Sequence, residues 1–229
     1  MNPISHPAFS RVFPFAIYIA FLAIASGMST LQDMGYIKGW DLRWLYPAKV
    51  GLVLLALRWL WRHYSELSRP AGVKAGDWVA AGVTGVMVFV IWINLDQEWA
   101  TMGGESRGFN PTSEGGGIDW ALVAFRLIGA AMIVPVMEEL FWRSFVMRWI
   151  DNPDFLRINP AQISIKSFVI ASVLFGVEHN LWLAGIIAGI AYGWLYKRSG
   201  NLWVPVFSHA ITNGLLGIWV IYSGNWQFW

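Results

Sequence analysis

Apolar residues gather along the chain in seven stretches, 12–31, 44–61, 78–95, 118–150, 164–180, 182–196 and 202–222, divided by polar segments. A helix needs about 20 mostly apolar residues to cross the hydrocarbon of a bilayer, and each stretch is that long or nearly so. The pattern predicts an all-α fold, a polytopic transmembrane helical bundle of about seven to eight membrane helices. The eighth would come from the fourth stretch. It is too long for one straight span, and Pro135 near its middle predicts a kink or a break. Two linkers are plainly polar. Segment 62–77 is basic and contains Arg69-Pro70 and Gly72, whereas 96–117 is acidic, glycine-rich and reads as a flexible loop. They suggest an N-terminal three-helix membrane region, 1–117, followed by a core, 118–229, within one integral membrane unit. Arg11 before an apolar run and Ala23-Ile24-Ala25 resemble a signal peptide with its cleavage site. The run continues past that point and six more stretches follow, so the first helix is expected to stay.

Composition agrees with the pattern. Of 229 residues, 56% are hydrophobic and 13% charged, against about 25% charged in soluble domains. That is too little polar surface to cover a water-soluble fold. Sixteen Trp add to the case, because Trp concentrates at membrane–water interfaces. The absence of Cys excludes disulfides, thiolate nucleophiles and Cys-based metal sites. A net charge of +2 is what basic loops on one side of a membrane give, and nucleic acid is not an implied partner.

Loop charges set an orientation. With the N-terminus inside, nine Lys and Arg, from Arg11 through Arg148 to Arg198, fall on the inner side and only Lys38, Arg43 and Arg107 on the outer. The positive-inside rule then predicts a cytoplasmic N-terminus. Lys49, Arg58, Arg126 and Arg143 lie within the stretches.

An ionisable group near the bilayer centre costs at least about 2.5–3.5 kcal/mol, so each one there needs a reason. Glu138-Glu139-Leu140-Phe141-Trp142-Arg143 places three such groups in six residues. Successive helical residues point about 100° apart, so the two carboxylates diverge. Glu139 and Arg143, four apart, share a face and can pair. Glu138 has no local partner, which suits a general base. Should the helix break at Pro135, both carboxylates would sit in the first turn of a new half-helix. His179 closes the fifth stretch beside Glu178, which either orients the imidazole or, by preference, faces the polar hairpin at Asn180. His209 and Asn213 lie four apart on one face of the last stretch. Counted at 1.5 Å per residue from the cytoplasmic ends, Glu138 and Glu139 lie roughly 15–20 Å deep, His179 about 20–23 Å, His209 about 12 Å and Asn213 about 18 Å. They share one slab, which predicts a common pocket opening to the cytoplasm. Gly185, Gly189 and Gly193 form a stripe for close helix packing. A proton- or ion-coupled transporter, or a non-catalytic scaffold or immunity protein, are the competing readings of such a cluster.

Glu138-Glu139-x-x-x-Arg143, Phe175-x-x-x-His179 and His209-x-x-x-Asn213 resemble, in order, the three motifs of the type II CAAX prenyl endopeptidases, the CPBP (Abi) intramembrane protease family. The resemblance covers 135–216, including the glycine-rich helix and the turn Ser199-Gly200-Asn201. The opening Arg11-Val12-Phe13-Pro14-Phe15 is similar to CAAX protease-related proteins that accompany exosortase sorting systems. The resemblance implies an intramembrane endopeptidase that cuts a membrane-anchored peptide or protein, in a bacterial inner (plasma) membrane, with the bilayer as its other partner. It implies Glu138 as the activator of water, assisted by His179, and His209 and Asn213 as holders of the water and the oxyanion. Glu139 with Arg143 would be the structural pair. There is no His-Glu-x-x-His motif, so no cofactor is favoured. Glu138, His179 and His209 are alternatively three ligands for a catalytic Zn.

Overall fold

The computed structural model describes residues 6–68, 72–102, 108–113 and 115–229. Arg69, Pro70 and Arg107, used above for a linker and for the charge count, lie outside them. Among the described residues the chain is helical throughout, with one isolated bridge, Thr112 to Ile118, in place of any strand. Seven helices follow one another: α1 (Pro7–Asp33), α2 (Leu45–Trp59), α3 (Ala75–Trp92), α4 (Trp120–Trp149), α5 (Ile165–Val177), α6 (Trp182–Ser199) and α7 (Trp203–Ser223). Four of them, α1, α3, α4 and α7, are long and apolar enough to cross a membrane. Their outward side chains are apolar too. Leu22, Ile24, Val79, Val83, Met132 and Ile218 are all exposed, which suits a surface solvated by lipid. The protein is an integral membrane helical bundle.

Local chemistry ends the helices where the polar segments begin. Asp119 accepts hydrogen bonds from the Ala121 and Leu122 amides and so caps α4. Ser164 caps α5, and Asp151 accepts from the Ser164 amide and from the Ser164 and Ser167 hydroxyls. Those hydroxyls hold the exposed Asp151 carboxyl below its ordinary value, against the opposing pull of its partial desolvation. Gly200, at φ +66°, takes the left-handed conformation that closes α6.

The fourth stretch is not broken. α4 runs as one helical path in which two π-helical segments, Gly129–Ile133 and Leu140–Val146, flank a turn of α-helix at Val134–Glu139. The expected break at Pro135 becomes a locally widened helix, so Glu138 and Glu139 do not occupy the first turn of a new half-helix. Widening absorbs the proline because an i→i+5 pattern leaves room for its ring.

α5 and α6 meet at backbone distance. A Cβ on Gly185 would lie 2.9 Å from Gly176 Cα, and one on Gly189 would lie 2.8 Å from the Ser172 carbonyl. The glycine stripe is a packing seam, as its spacing predicts.

At the N-terminal end of the bundle, Glu66 is held by three helical neighbours. Arg11 donates to both of its carboxylate oxygens, at 3.1 and 2.5 Å, and Arg148 donates at 3.0 Å. Ser144 also donates to Glu66. Arg11 and Arg148 are therefore buried ion-pair partners rather than free interfacial cations.

Candidate active site

Glu138, Glu139, Arg143 and His209 are all buried where α4 crosses α7. The Nδ1 of His209 lies 2.9 Å from Glu139 Oε1, and its Nε2 lies 3.9 Å from Glu138 Oε2. A carboxylate can only accept, so Nδ1 carries the hydrogen it donates to Glu139. Glu139 is in turn held by Arg143, whose Nε is 3.1 Å from Oε2. The Arg143 guanidinium lies 4.2 Å from the centre of the Phe175 ring and 5.4 Å from that of Tyr192. Tyr192 stacks on His209, with centroids 4.9 Å apart and planes 19° apart. Its hydroxyl donates to Thr212, and Thr212 donates to the Gly85 carbonyl of α3.

The ion pair expected of Glu139 and Arg143 is present, but Glu139 also fixes the imidazole of His209. Spacing along one helix cannot show that second contact. Tyr192 and Thr212 are likewise unmarked in the sequence, since an aromatic and a threonine in an apolar helix carry no signal of their own.

His179 sits just beyond the end of α5. Its Nδ1 is 2.7 Å from the Phe175 carbonyl, one of the carbonyls a helix leaves unpaired at its C-terminus. That contact makes Nδ1 the protonated nitrogen and leaves Nε2 free to accept. The ring of Trp92 meets His179 edge-on at 5.4 Å. The sequence leaves Glu178 between orienting the imidazole and facing the hairpin. In the fold it brings a carboxylate oxygen within 4.8 Å of ligand atoms of both Glu138 and His179. These three are the His and acidic groups among the described residues that lie close enough to share a metal ion. His209 is outside that set.

Asn213 donates from Nδ2 to the Ala130 carbonyl at 2.9 Å. This carbonyl needs a partner because of the proline. The Val134 amide reaches back five residues to Gly129, and Pro135, next in line, has no N–H to give. One hydrogen of the Asn213 amide meets the deficit, and the other has no partner among the described residues.

Glu138, His179, His209 and Asn213 line one cavity of about 150 Å³. The four residues singled out from the sequence are brought together. The direction of the cavity differs from the expectation. Its lining continues to Tyr46 at the start of α2, Trp92 at the end of α3, Arg126 near the start of α4, and the C-terminal Phe228 and Trp229. All of these lie at the end of the bundle opposite the N-terminus. The depth count measures each residue from one face and cannot show which neighbours stand beyond it. With a cytoplasmic N-terminus the cavity runs toward the outer side.

Comparison with known proteins gives the site a setting. Residues 120–215 match the family described as type II CAAX prenyl endopeptidase Rce1-like. Over 94 residues the chain is 26% identical to a Bacillus subtilis (strain 168) protein named "Putative membrane peptidase YdiL", a match covering 40% of this chain and 35% of that relative. No solved structure matches the chain. The matched segment, 120–215, is the one that holds Glu138, His179, His209 and Asn213.

Proposed function

We propose that this protein is an intramembrane endopeptidase that hydrolyses a peptide bond of a membrane-anchored protein, with Glu138 activating the water. One observation carries the reading: a buried carboxylate without a hydrogen-bond partner on Oε2 faces a cavity shared with two imidazoles and an amide. Glu139, the other carboxylate, already has its counter-charge in Arg143.

In this mechanism Glu138 takes one proton from water as the water oxygen bonds to the scissile carbonyl carbon. His179, through the Nε2 that its Phe175 contact leaves free, accepts from the water's second hydrogen and orients it. The carbonyl electrons move to oxygen, and the second N–H of Asn213 donates to that oxyanion. His209, with its Nδ1–H on Glu139, turns Nε2 to the cavity as an acceptor that helps to hold the water. The C–N bond then breaks, and Glu138 returns its proton to the leaving nitrogen. The substrate and the surrounding lipid of a bacterial plasma membrane are the partners in this reading.

A metal-assisted version has one observation in its favour, the Glu138, Glu178 and His179 cluster. Its donors, two carboxylates and an imidazole, fit a divalent cation such as Zn, which would polarise the carbonyl and lower the pKa of bound water.

The test is cleavage of a library of membrane-anchored peptides by purified protein in lipid, with metal analysis of the same preparation. Glu138→Gln and His209→Ala are expected to lose cleavage while keeping their helical content. Full activity in either folded variant refutes the assigned site. One equivalent of metal with chelator-sensitive cleavage selects the metal-assisted version, and voltage-dependent ion flux without cleavage selects a transporter.

A further inference from the structure

The end of the cavity away from Glu138 is cationic, and the hydrolytic mechanism makes no use of it. Arg126 lines that end, with its guanidinium 4.4 Å from the centre of the Tyr46 ring and 5.6 Å from that of Phe109. Its Nε is buried and has no hydrogen-bond partner. Lys49, 5% exposed one turn into apolar α2, is not a lining residue of the cavity but shares its aromatic wall, with Nζ 3.9 Å from the centre of the Tyr18 ring and 4.9 Å from that of Tyr46. Among the described residues, no carboxylate forms an ion pair with either cation. Elsewhere in the bundle buried cations are matched: Arg11 and Arg148 by Glu66, Arg143 by Glu139.

Two cations sharing one aromatic wall repel each other and are poorly solvated, a costly arrangement when no anion joins them. Aromatic faces offset part of that cost and hold the guanidinium fork in place. The position also fits an extended ligand. Arg126 precedes Glu138 by twelve residues on one helix, about 18 Å along its axis. Extended peptide advances about 3.3 Å per residue, so a group docked on Arg126 lies within about five residues of a bond held at Glu138.

We propose that the Arg126 end of the cavity is an anion subsite that binds a carboxylate of the peptide substrate, within about five residues of the cut bond. The inference rests on the cavity being the peptide site. Chain terminus and acidic side chain both offer this carboxylate, and the recognising chemistry is the same.

Binding without turnover tests this apart from the proposed hydrolysis. N-octanoyl-Leu-Val-Leu-Ala as free acid, the same peptide as amide, and the amide with Glu replacing Val would be titrated into the Glu138→Gln protein in lipid nanodiscs. One charge-assisted contact predicts that the free acid or the Glu peptide binds about 10- to 100-fold tighter than the neutral amide. Whichever of the two is preferred identifies the source of the carboxylate. Adding Arg126→Gln should bring the acid-to-amide ratio near one. Arg126→Lys, which keeps the charge but loses the fork, should leave an intermediate ratio and guards against misfolding as the cause. Equal binding of acid and amide, or a preference that survives Arg126→Gln, would overturn the subsite while leaving the peptide site standing. No binding of any peptide would overturn both. Displacement of the preference by phosphatidylglycerol in the nanodisc would also overturn the subsite, assigning the cations to a lipid headgroup.

Discussion

Replacing Glu66 by Gln should destabilise the bundle more than any other single change at its N-terminal end. The side chain keeps its shape and one acceptor oxygen but loses its charge. Arg11 and Arg148, 1% and 5% exposed, are then two guanidiniums confined together without a counter-ion. Removing one partner from a buried ion pair costs about 3–5 kcal/mol, because the remaining charge stays desolvated. For a chain of this size that corresponds to a fall in Tm of about 10 °C. The ring of Phe155 beside Arg11 and Arg148, at 5.5 and 5.3 Å, moderates the loss without replacing the charge.

The effect should also depend on pH. Burial by itself pushes the Glu66 carboxyl up, but hydrogen bonds and charge from Arg11, with the Ser144 hydroxyl, outweigh it and hold the group below its ordinary value. A lowered carboxyl contributes its stabilisation in full above the unfolded value, about 4.3, and loses it as pH falls through the lower folded value. The gap between wild type and Glu66→Gln should therefore be flat from pH 8 to about pH 5 and narrow below about pH 4. Thermal unfolding in detergent across that range measures it. A gap under about 1 kcal/mol, the worth of an exposed pair, would refute the reasoning, as would a gap that widens in acid.

Three further changes probe the site and its supports. Glu139→Gln should lower cleavage by about 10- to 100-fold, with a nitrogen NMR signature showing loss of the single Nδ1–H form of His209. Gly189→Val drives a side chain into the Ser172 carbonyl, so stability measured by thermal unfolding should fall by about 1–3 kcal/mol. Pro135→Ala returns an N–H that competes for the carbonyls of α4. Cleavage should fall although the helix itself gains stability, and unchanged activity would sever Pro135 from Asn213.

Much of this is legible in the residues. Seven apolar stretches become seven helices because apolar length is a one-dimensional property, measured along the chain itself. Glu138, His179, His209 and Asn213 stand out because each is an expensive residue in an apolar run, and expense can be read without a fold. Relations across helices are what the residues alone do not carry. The Glu139 contact with His209 depends on which face of α7 meets α4, whereas spacing reveals neighbours only three or four residues apart on one helix. Arg11 and Arg148 read as loop charges because Glu66, their partner, is 55 and 82 positions away. Lys49 and Arg126 do carry a signal. They are intramembrane cations, and the rule that singles out Glu138 applies to them equally.

The adjacent carboxylates of α4 show how one helix can separate support from chemistry. Side chains 100° apart on a regular helix face different neighbours, yet both Glu138 and Glu139 come to the same imidazole, one near each nitrogen. A ring small enough to stand in the angle between them is what permits this, and Tyr192 stacked on its face keeps it there. Beyond that the two environments differ. Arg143 lies four residues after Glu139, on its own face, so the charge of Glu139 is answered within the helix and its other oxygen can hold His209. Glu138 has Val134 four residues before it and Trp142 four after, neither of them a cation. Its carboxylate therefore finds its partners across the cavity, in His209, His179, Glu178 and whatever the cavity admits. A single sequence pattern, an acid with a base four residues on beside an acid without one, thus divides the pair into a fixed charge and a reactive one.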